Sequence, residues 1–452
     1  MFFLQKNVHI FKNMKKQFFF YLFLILSTIA FSQEGFKINS SKKEFKLSFK
    51  LINNLIIIPV NLNGVELNFL LDTGVEKTIL FSADEKSTIE FKDVEKIKIK
   101  GLGTGESVDA YHAKNNFIKI GKYEDHESEI YIILDENINF SSQLGIPVHG
   151  IIGSNFFRND LIEIDYATKK IIILDAQKKS TLKKLKKFTI DTISIELEKP
   201  YIQTLVNING NDIATKMLID TGGSDALWLF ENGSKIKAPE QGFSDFLGKG
   251  FSGDVFGKRS RIESLKITNC IIDQPTASFP DLVALKNVIM VENRNGSIGA
   301  EVLRRFSVIF DYKNGKIYFK KNSNFDEPFN YNMSGLEFSH DGLQMVQEKT
   351  ELKTTMVSKE DNVIDDRRAS VKYDFVLKPI YIISSVRPNS PGEQAGLKKD
   401  DKLIKVNGME AYHYKLDGLN QLMRSEDGKW ITIEVERKGE IYKAKFQLKK
   451  IL

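Results

Sequence analysis

The sequence predicts a mostly β protein of two duplicated lobes followed by a small, separate α+β module. Three observations carry this. Two apolar strand runs, Phe69-Leu70-Leu71 and Met217-Leu218-Ile219, each end in Asp-Thr-Gly, at 72–74 and 220–222. The segments after them repeat each other at an offset near 147 positions, as a duplicated half does. From Tyr373 on, strand and helix signals alternate in a different pattern.

Taken in order, residues 1–32 read as an export signal. Lys12, Lys15 and Lys16 precede an apolar run from Phe18 to Phe31, and Ala30 and Ser32 supply the small residues a signal peptidase reads. The run is shorter than the ~20 residues a membrane-spanning helix needs. The expectation is an exported protein, periplasmic or secreted, with no stable membrane span after cleavage. The 452 residues carry a formal charge of +6, too dispersed to point to nucleic acid. Cys270 is the one cysteine, so packing and not disulfides must hold the fold.

The first lobe is assigned to residues 33–178. Leu55 to Val60 suits a buried strand, Asn63-Gly64 a hairpin turn, and Val65 to Leu71 the return that delivers Asp72. The second lobe, 188–325, repeats this: Ile202 to Ile208 is a strand, Asn209-Gly210-Asn211-Asp212 the turn, and Ile213 to Ile219 delivers Asp220. Further along, Gly101-Leu102-Gly103 matches Gly248-Lys249-Gly250, and Gly150-Ile151-Ile152-Gly153 matches Gly296-Ser297-Ile298-Gly299. Asp165-Tyr166 and Asp311-Tyr312 close the units, 93 and 91 positions after the two aspartates.

Two carboxyls held side by side cannot both ionise cheaply, so they share a proton, one serving as base and the other as acid toward a water and an amide. Gly74 and Gly222 permit a tight turn, and the Thr73 and Thr221 hydroxyls can tie the loops together. On these motifs the chain resembles a bilobed aspartic peptidase of the pepsin/retropepsin clan over residues 45 to 325. The resemblance implies peptide-bond hydrolysis by Asp72 and Asp220, without metal or organic cofactor, acting on a peptide or protein substrate. It also implies a flap hairpin, placed at Gly101, Gly103 and Tyr111 in lobe one, with Gly248 to Phe256 as its counterpart. Tyr111 reads equally as a half-buried strand residue. The resemblance further expects a hydroxyl two positions after each glycine, bonded to the catalytic carboxylate. Ser224 stands there in lobe two. In lobe one the place is taken by Glu76, whose charge would raise the pair's pKa, and Thr78 is the nearest hydroxyl.

Competing signals are weak. Gly248 to Gly253 fits the GxGxxG pattern but lies in a β-like segment. The six histidines lack metal-ligand spacing, and no GxSxG elbow is present. The six lysines between 178 and 187 read as a solvated connector.

Residues 326–372 read as a linker or added strands, with Gly335 to Val346 a candidate strand for lobe two. From 373 to 452 the run Ser390-Pro391-Gly392-Glu393-Gln394-Ala395-Gly396-Leu397, then Asp401 to Gly408, resembles a bacterial-type PDZ domain. Such modules grip a peptide C-terminus by strand addition. Phe375, Val376 and Leu377 are the candidate replacement for the carboxylate-binding loop. The sequence therefore reads as an exported aspartic endopeptidase with a PDZ module for docking or regulation. The alternative is a non-catalytic peptide-binding or scaffold protein that keeps the same fold.

Overall fold

The computed structural model describes residues 35–350 and 372–452, apart from 40–43, 84–87, 104, 106, 136, 137, 139, 234 and 251. The export-signal segment lies outside the described residues.

Apolar alternation and asparagine-glycine turns build the two lobes in the same way. In lobe one Leu55–Leu62 pairs antiparallel with Val65–Leu71 across Asn63-Gly64, whose positive φ values of 49° and 94° suit this residue pair. Lobe two repeats this with Lys199–Ile208 and Asn211–Ile219 across Asn209-Gly210, at 53° and 77°. On its other edge each delivering strand takes a short parallel partner: Gly150–Ile152 beside Phe69 to Leu71, and Arg294–Ile298 beside Lys216 to Ile219. The last three residues of each delivering strand, Phe69 to Leu71 and Met217 to Ile219, are buried on both faces, which is why each strand ends in an unbroken apolar run.

The lobes share a sheet. Leu161–Asp165 of lobe one pairs antiparallel with Phe306–Asp311 of lobe two, Ile164 facing Val308, with Lys170–Leu174 and Lys316–Lys321 flanking them. One core cluster runs through both lobes, from Phe36 and Phe69 to Met217 and Phe310. Phe157 packs on Phe310 and Tyr312 at the seam, with ring centroids 4.9 and 5.6 Å apart. Joining the lobes through a continuous sheet fixes where the two Asp-Thr-Gly loops meet.

The C-terminal module has its own core, including Leu336, Ile383, Val406, Leu419 and Ile433. Its sheet runs, by neighbours, Leu336–Thr350, Lys372–Val386, Lys402–Val406, Trp430–Arg437 and Glu440–Gln447. The first of these revises the reading of 326–372. Gly335 to Val346 adds a strand to the C-terminal sheet and not to lobe two, because Leu336–Thr350 pairs with Lys372–Val386 along its whole length. Ser390 caps the short helix Pro391–Gln394, accepting from Glu393 N, with Pro391 at its first position. Arg437 grips Asp401 through two bonds of 2.6 Å.

Candidate active site

Each delivering strand ends where its parallel partner supplies a last bond. Asp72 N donates to Ile152 O at 2.9 Å, and Asp220 N to Ile298 O at 2.9 Å. The partner strand then passes beneath the loop through a glycine. A Cβ at Gly153 would lie 2.7 Å from Glu76 O, and one at Gly299 2.2 Å from Asp225 O. No larger residue fits either place.

The threonines cross between lobes in a reciprocal lattice. Thr73 N donates to Thr221 Oγ1 and Thr221 N to Thr73 Oγ1, both at 3.0 Å. Thr73 Oγ1 donates to Ile219 O at 2.6 Å, and Thr221 Oγ1 to Leu71 O at 2.9 Å. Both threonines are fully buried, so every one of these polar groups depends on the other lobe.

The lattice brings the two carboxyls together. A Cβ on Gly74 would sit 2.9 Å from Asp220 Oδ1 and 3.1 Å from Asp72 Oδ1; one on Gly222 would sit 2.2 Å from Asp72 Oδ2. The carboxyls share a hydrogen bond. Their surroundings differ. Asp72 accepts one backbone bond, from Gly74 N at 2.6 Å. Asp220 accepts two, from Gly222 N at 3.0 Å and Gly223 N at 2.9 Å. Burial, then the charge of Asp220, pushes Asp72 up to about 8, against the pull of Gly74 N–H and Lys199. Burial also raises Asp220, but Arg294 and the two backbone donors restrain it. The pair titrates as a unit, with the Arg294 charge and the two backbone donors favouring the ionised form of Asp220.

Ser224 is corrected. Its side chain is exposed and is not among the partners of Asp220; only its carbonyl is engaged, by Asn54 Nδ2 at 3.1 Å. Gly223, one place earlier, makes the contact instead, because the loop turns on two consecutive glycines. In lobe one Glu76 is half-exposed, 3.8 Å from Lys77, and is not one of the leading charges acting on either aspartate. Thr78 is fully buried and its hydroxyl bonds to no described residue, Asp72 included.

Asp225 is a residue the sequence reading missed. It accepts from Trp228 Nε1 at 3.0 Å and Ser278 Oγ at 2.8 Å, and pairs with Arg259 at 3.0 Å. Burial alone would raise its pKa, but the Arg259 charge and these bonds hold it below the usual carboxylate range. The available signal was an acid within the turn, just before the strand Leu227–Leu229.

The flap reading resolves into two hairpins. Lys92–Ile99 pairs with Val108–Ile120, and Gly242–Gly250 with Gly253–Arg261. Their tips touch. Gly101 N donates to Ser252 Oγ at 3.2 Å, Ser252 N to Leu102 O at 2.9 Å, and Gly103 N to Ala284 O at 3.1 Å. Gly103 has φ +124°, and a Cβ there would fall 2.4 Å from Ser252 C. Leu102 packs against the small cluster of Leu247, Val255 and Ala284. Tyr111 does not crown its hairpin. It lies within the strand, half-buried, between Lys96 and Ile132.

Phe375, Val376 and Leu377 are likewise corrected. They form no loop: they pair with Gln347, Val346 and Met345 inside the hairpin, and Phe375 and Leu377 face solvent. The turn that precedes the sheet's edge strand is Asn332 to Gly335. Asn332 Oδ1 accepts from Ser334 N, Ser334 Oγ and Gly335 N at 3.0, 2.7 and 3.1 Å. The helix Leu416–Met423 packs beside that strand, and Met333 N donates to Met423 O. The lobe-one helix Phe140–Leu144 lies against the same strand, with Gly145 against Leu416.

Two lobes with two Asp-Thr-Gly loops joined by a threonine lattice resemble aspartyl proteases, and the C-terminal module, with a helix beside its edge strand, resembles a PDZ domain. Family comparison agrees: an aspartyl protease model matches residues 58–156 and a PDZ domain model residues 382–437. Among solved structures, an aspartic proteinase from Irpex lacteus aligns at 11% identity and a TM-score of 0.40, covering 63% of this chain and 99% of its own. Comparison with curated proteins finds no match.

Proposed function

We propose that this protein is an exported aspartic endopeptidase. The observation that supports it is the meeting of Asp72 and Asp220 within one buried, threonine-locked pair of loops, their charges pushed apart by unequal backbone donors. Asp220, as the anion, takes a proton from a water held between the carboxyls. Protonated Asp72 gives its proton to the scissile carbonyl oxygen as the water adds, so that a neutral tetrahedral diol forms. The proton taken by Asp220 then passes to the departing amide nitrogen, and Asp72 recovers its own. A dry site strengthens each of these contacts. The two hairpin tips, bonded to each other, are the candidate cover over the site, and their parting would admit a chain. Export rests on the charge and apolar pattern of residues 1–32. Among the described residues no helix is long and apolar enough to cross a membrane.

The test is hydrolysis of denatured casein by the purified protein from acid to neutral pH, with and without pepstatin. Cleavage that pepstatin blocks, and that Asp72→Asn and Asp220→Asn both lose, supports the proposal. Activity unchanged in either variant rejects the dyad. A non-catalytic peptide binder is the second reading, favoured by Asp72 having no hydroxyl partner among the described residues. It predicts pepstatin binding without cleavage.

A further inference from the structure

A run of largely enclosed charges leads from the Asp220 loop of lobe two into the PDZ module. Arg259, on the strand Gly253–Arg261, reaches two carboxylates at once: Nη1 to Asp225 Oδ1 at 3.0 Å and Nε to Asp245 Oδ2 at 2.8 Å. Asp225 stands five residues after Asp220, and its backbone carbonyl accepts from Glu301 N behind the loop. Asp245, on the facing strand of the second hairpin, lies 3.7 Å from Arg387 Nη1 of the module. The Arg387 side chain is only 3% exposed. Its guanidinium stacks on Phe243 at 4.0 Å and donates to Asn332 O at 3.1 Å, while its backbone N donates to Gly335 O at 2.7 Å. Arg387 thus holds the Asn332 to Gly335 turn from two sides.

That turn is itself poised. Asn332 Oδ1 gathers three donors, as a carboxylate oxygen in the same place would. The Asn332 amide nitrogen reaches Leu336 O and the half-buried Glu337 carboxylate. Glu337 in turn feels the charges of Asp245 and Arg259. An incoming carboxylate that took the Ser334 and Gly335 donors would displace Asn332 Oδ1. Arg387 and Asp245 are the next groups along, and Arg259 and Asp225 follow.

We propose that Arg259 is a positioning residue: it sets the Asp220 to Asp225 loop through Asp225, and the PDZ turn 332–335 acts on that loop through Arg387, Asp245 and Arg259 when it takes a peptide's C-terminal carboxylate. This deepens the endopeptidase reading, on which the activity part of its test rests. The guanidinium fork is essential, because one lysine ammonium cannot span both carboxylates in these directions.

The experiment uses the full chain, with Arg259→Lys as the variant and Arg261→Lys, two residues along the same strand, as control. A charged hydrogen bond lost from the loop's support lowers kcat by about tenfold with KM little changed. The control stays within about twofold of wild type in kcat. Backbone amide exchange across 220–228, measured by mass spectrometry, speeds up in Arg259→Lys and not in the control. A pentapeptide of alanines ending in a free-carboxylate valine, at saturating concentration, alters that exchange in wild type. Its C-terminal amide does not, and Arg259→Lys no longer responds to either. Exchange in Arg259→Lys equal to wild type overturns the positioning role. A peptide response equal in wild type and Arg259→Lys overturns the link to the module. Both exchange outcomes stand whether or not the protein cleaves, so their failure is distinguishable from failure of the endopeptidase reading.

Discussion

The two Asp-Thr-Gly loops are copies, yet the chain supports them differently. In lobe two, the fifth residue after Asp220 is Asp225, tied by Arg259, Ser278 and Trp228. In lobe one the matching place is Lys77, which reaches out to Glu129 at 3.2 Å and Glu76 at 3.8 Å. One loop is braced by an inward carboxylate; the other leans on partly exposed ion pairs, which contribute little to stability. The backbone donors follow the same split, two for Asp220 and one for Asp72. A duplicated fold places two identical acids symmetrically; under the proposed mechanism, only asymmetric surroundings can give them separate jobs.

The sharpest way to break that comparison is to remove each acid in turn. Asp72→Asn and Asp220→Asn each lower kcat/KM on an unfolded protein substrate by at least about 10²–10⁴-fold, the range of acid and base contributions. Circular dichroism should show both variants folded. If one variant keeps wild-type activity, the two loops do not act as a pair.

Steric tests rank next. A Cβ at Gly222 would lie 2.1 Å from Asp72 Cγ, whereas one at Gly223 would lie 3.3 Å from Asp220 Oδ2. Gly222→Ala therefore drives the carboxyls apart and removes activity, while Gly223→Ala needs only a few tenths of an ångström and retains a measurable part. Equal kcat values for the two variants would contradict the packing described. The Thr lattice is tested by Thr221→Val, which leaves Leu71 O without its donor and Thr73 N without its acceptor in a fully buried place. It lowers unfolding free energy by about 2–6 kcal/mol, from about 1–3 kcal/mol for each stranded group, read by chemical denaturation.

Much of this was legible in the sequence, and the reason is locality. The strand-turn-strand units that deliver Asp72 and Asp220 rest on alternation and on Asn-Gly turns, signals that lie within a few residues of one another. What escaped was non-local. Arg259 is 34 positions from Asp225, and Ser252 is 151 from Gly101, with no period to link them. The PDZ edge strand Leu336–Thr350 is separated from its partner by a charge-rich stretch, so Gly335 to Val346 read as belonging to lobe two. The misplacement of Phe375 to Leu377 followed from it: once that strand is in place, the loop before it moves to Asn332. Ser224 failed through a one-residue offset, which composition cannot resolve but a backbone N–H at Gly223 does.

The unequal loops also carry a pH signature. Asp72 holds its proton more tightly folded than unfolded, being pushed up to about 8, so its contribution to stability is fully present below the unfolded value near 4 and is lost as pH rises through the folded one. Asn at this position carries no such penalty. The Tm of Asp72→Asn relative to wild type therefore rises as pH is raised from about 4 to about 8, and levels off above. A constant difference across that range would mean that Asp72 is not the group holding the raised proton.

The smallest expected effect concerns Ser224, and it sharpens the comparison by what stays unchanged. An exposed side chain with no bond to Asp220 has nothing to lose, so Ser224→Ala shifts stability by no more than about 0.5 kcal/mol. Its kcat should stay within about twofold of wild type, since a factor of two is about 0.4 kcal/mol in barrier height. Because Asp220 is served by Gly222 and Gly223 backbone donors, which no side-chain change removes, the support of its carboxylate depends on chain path and not on a hydroxyl. A tenfold fall in kcat for Ser224→Ala would show that the loop turns by one residue when substrate enters, bringing the serine into the place now held by Gly223.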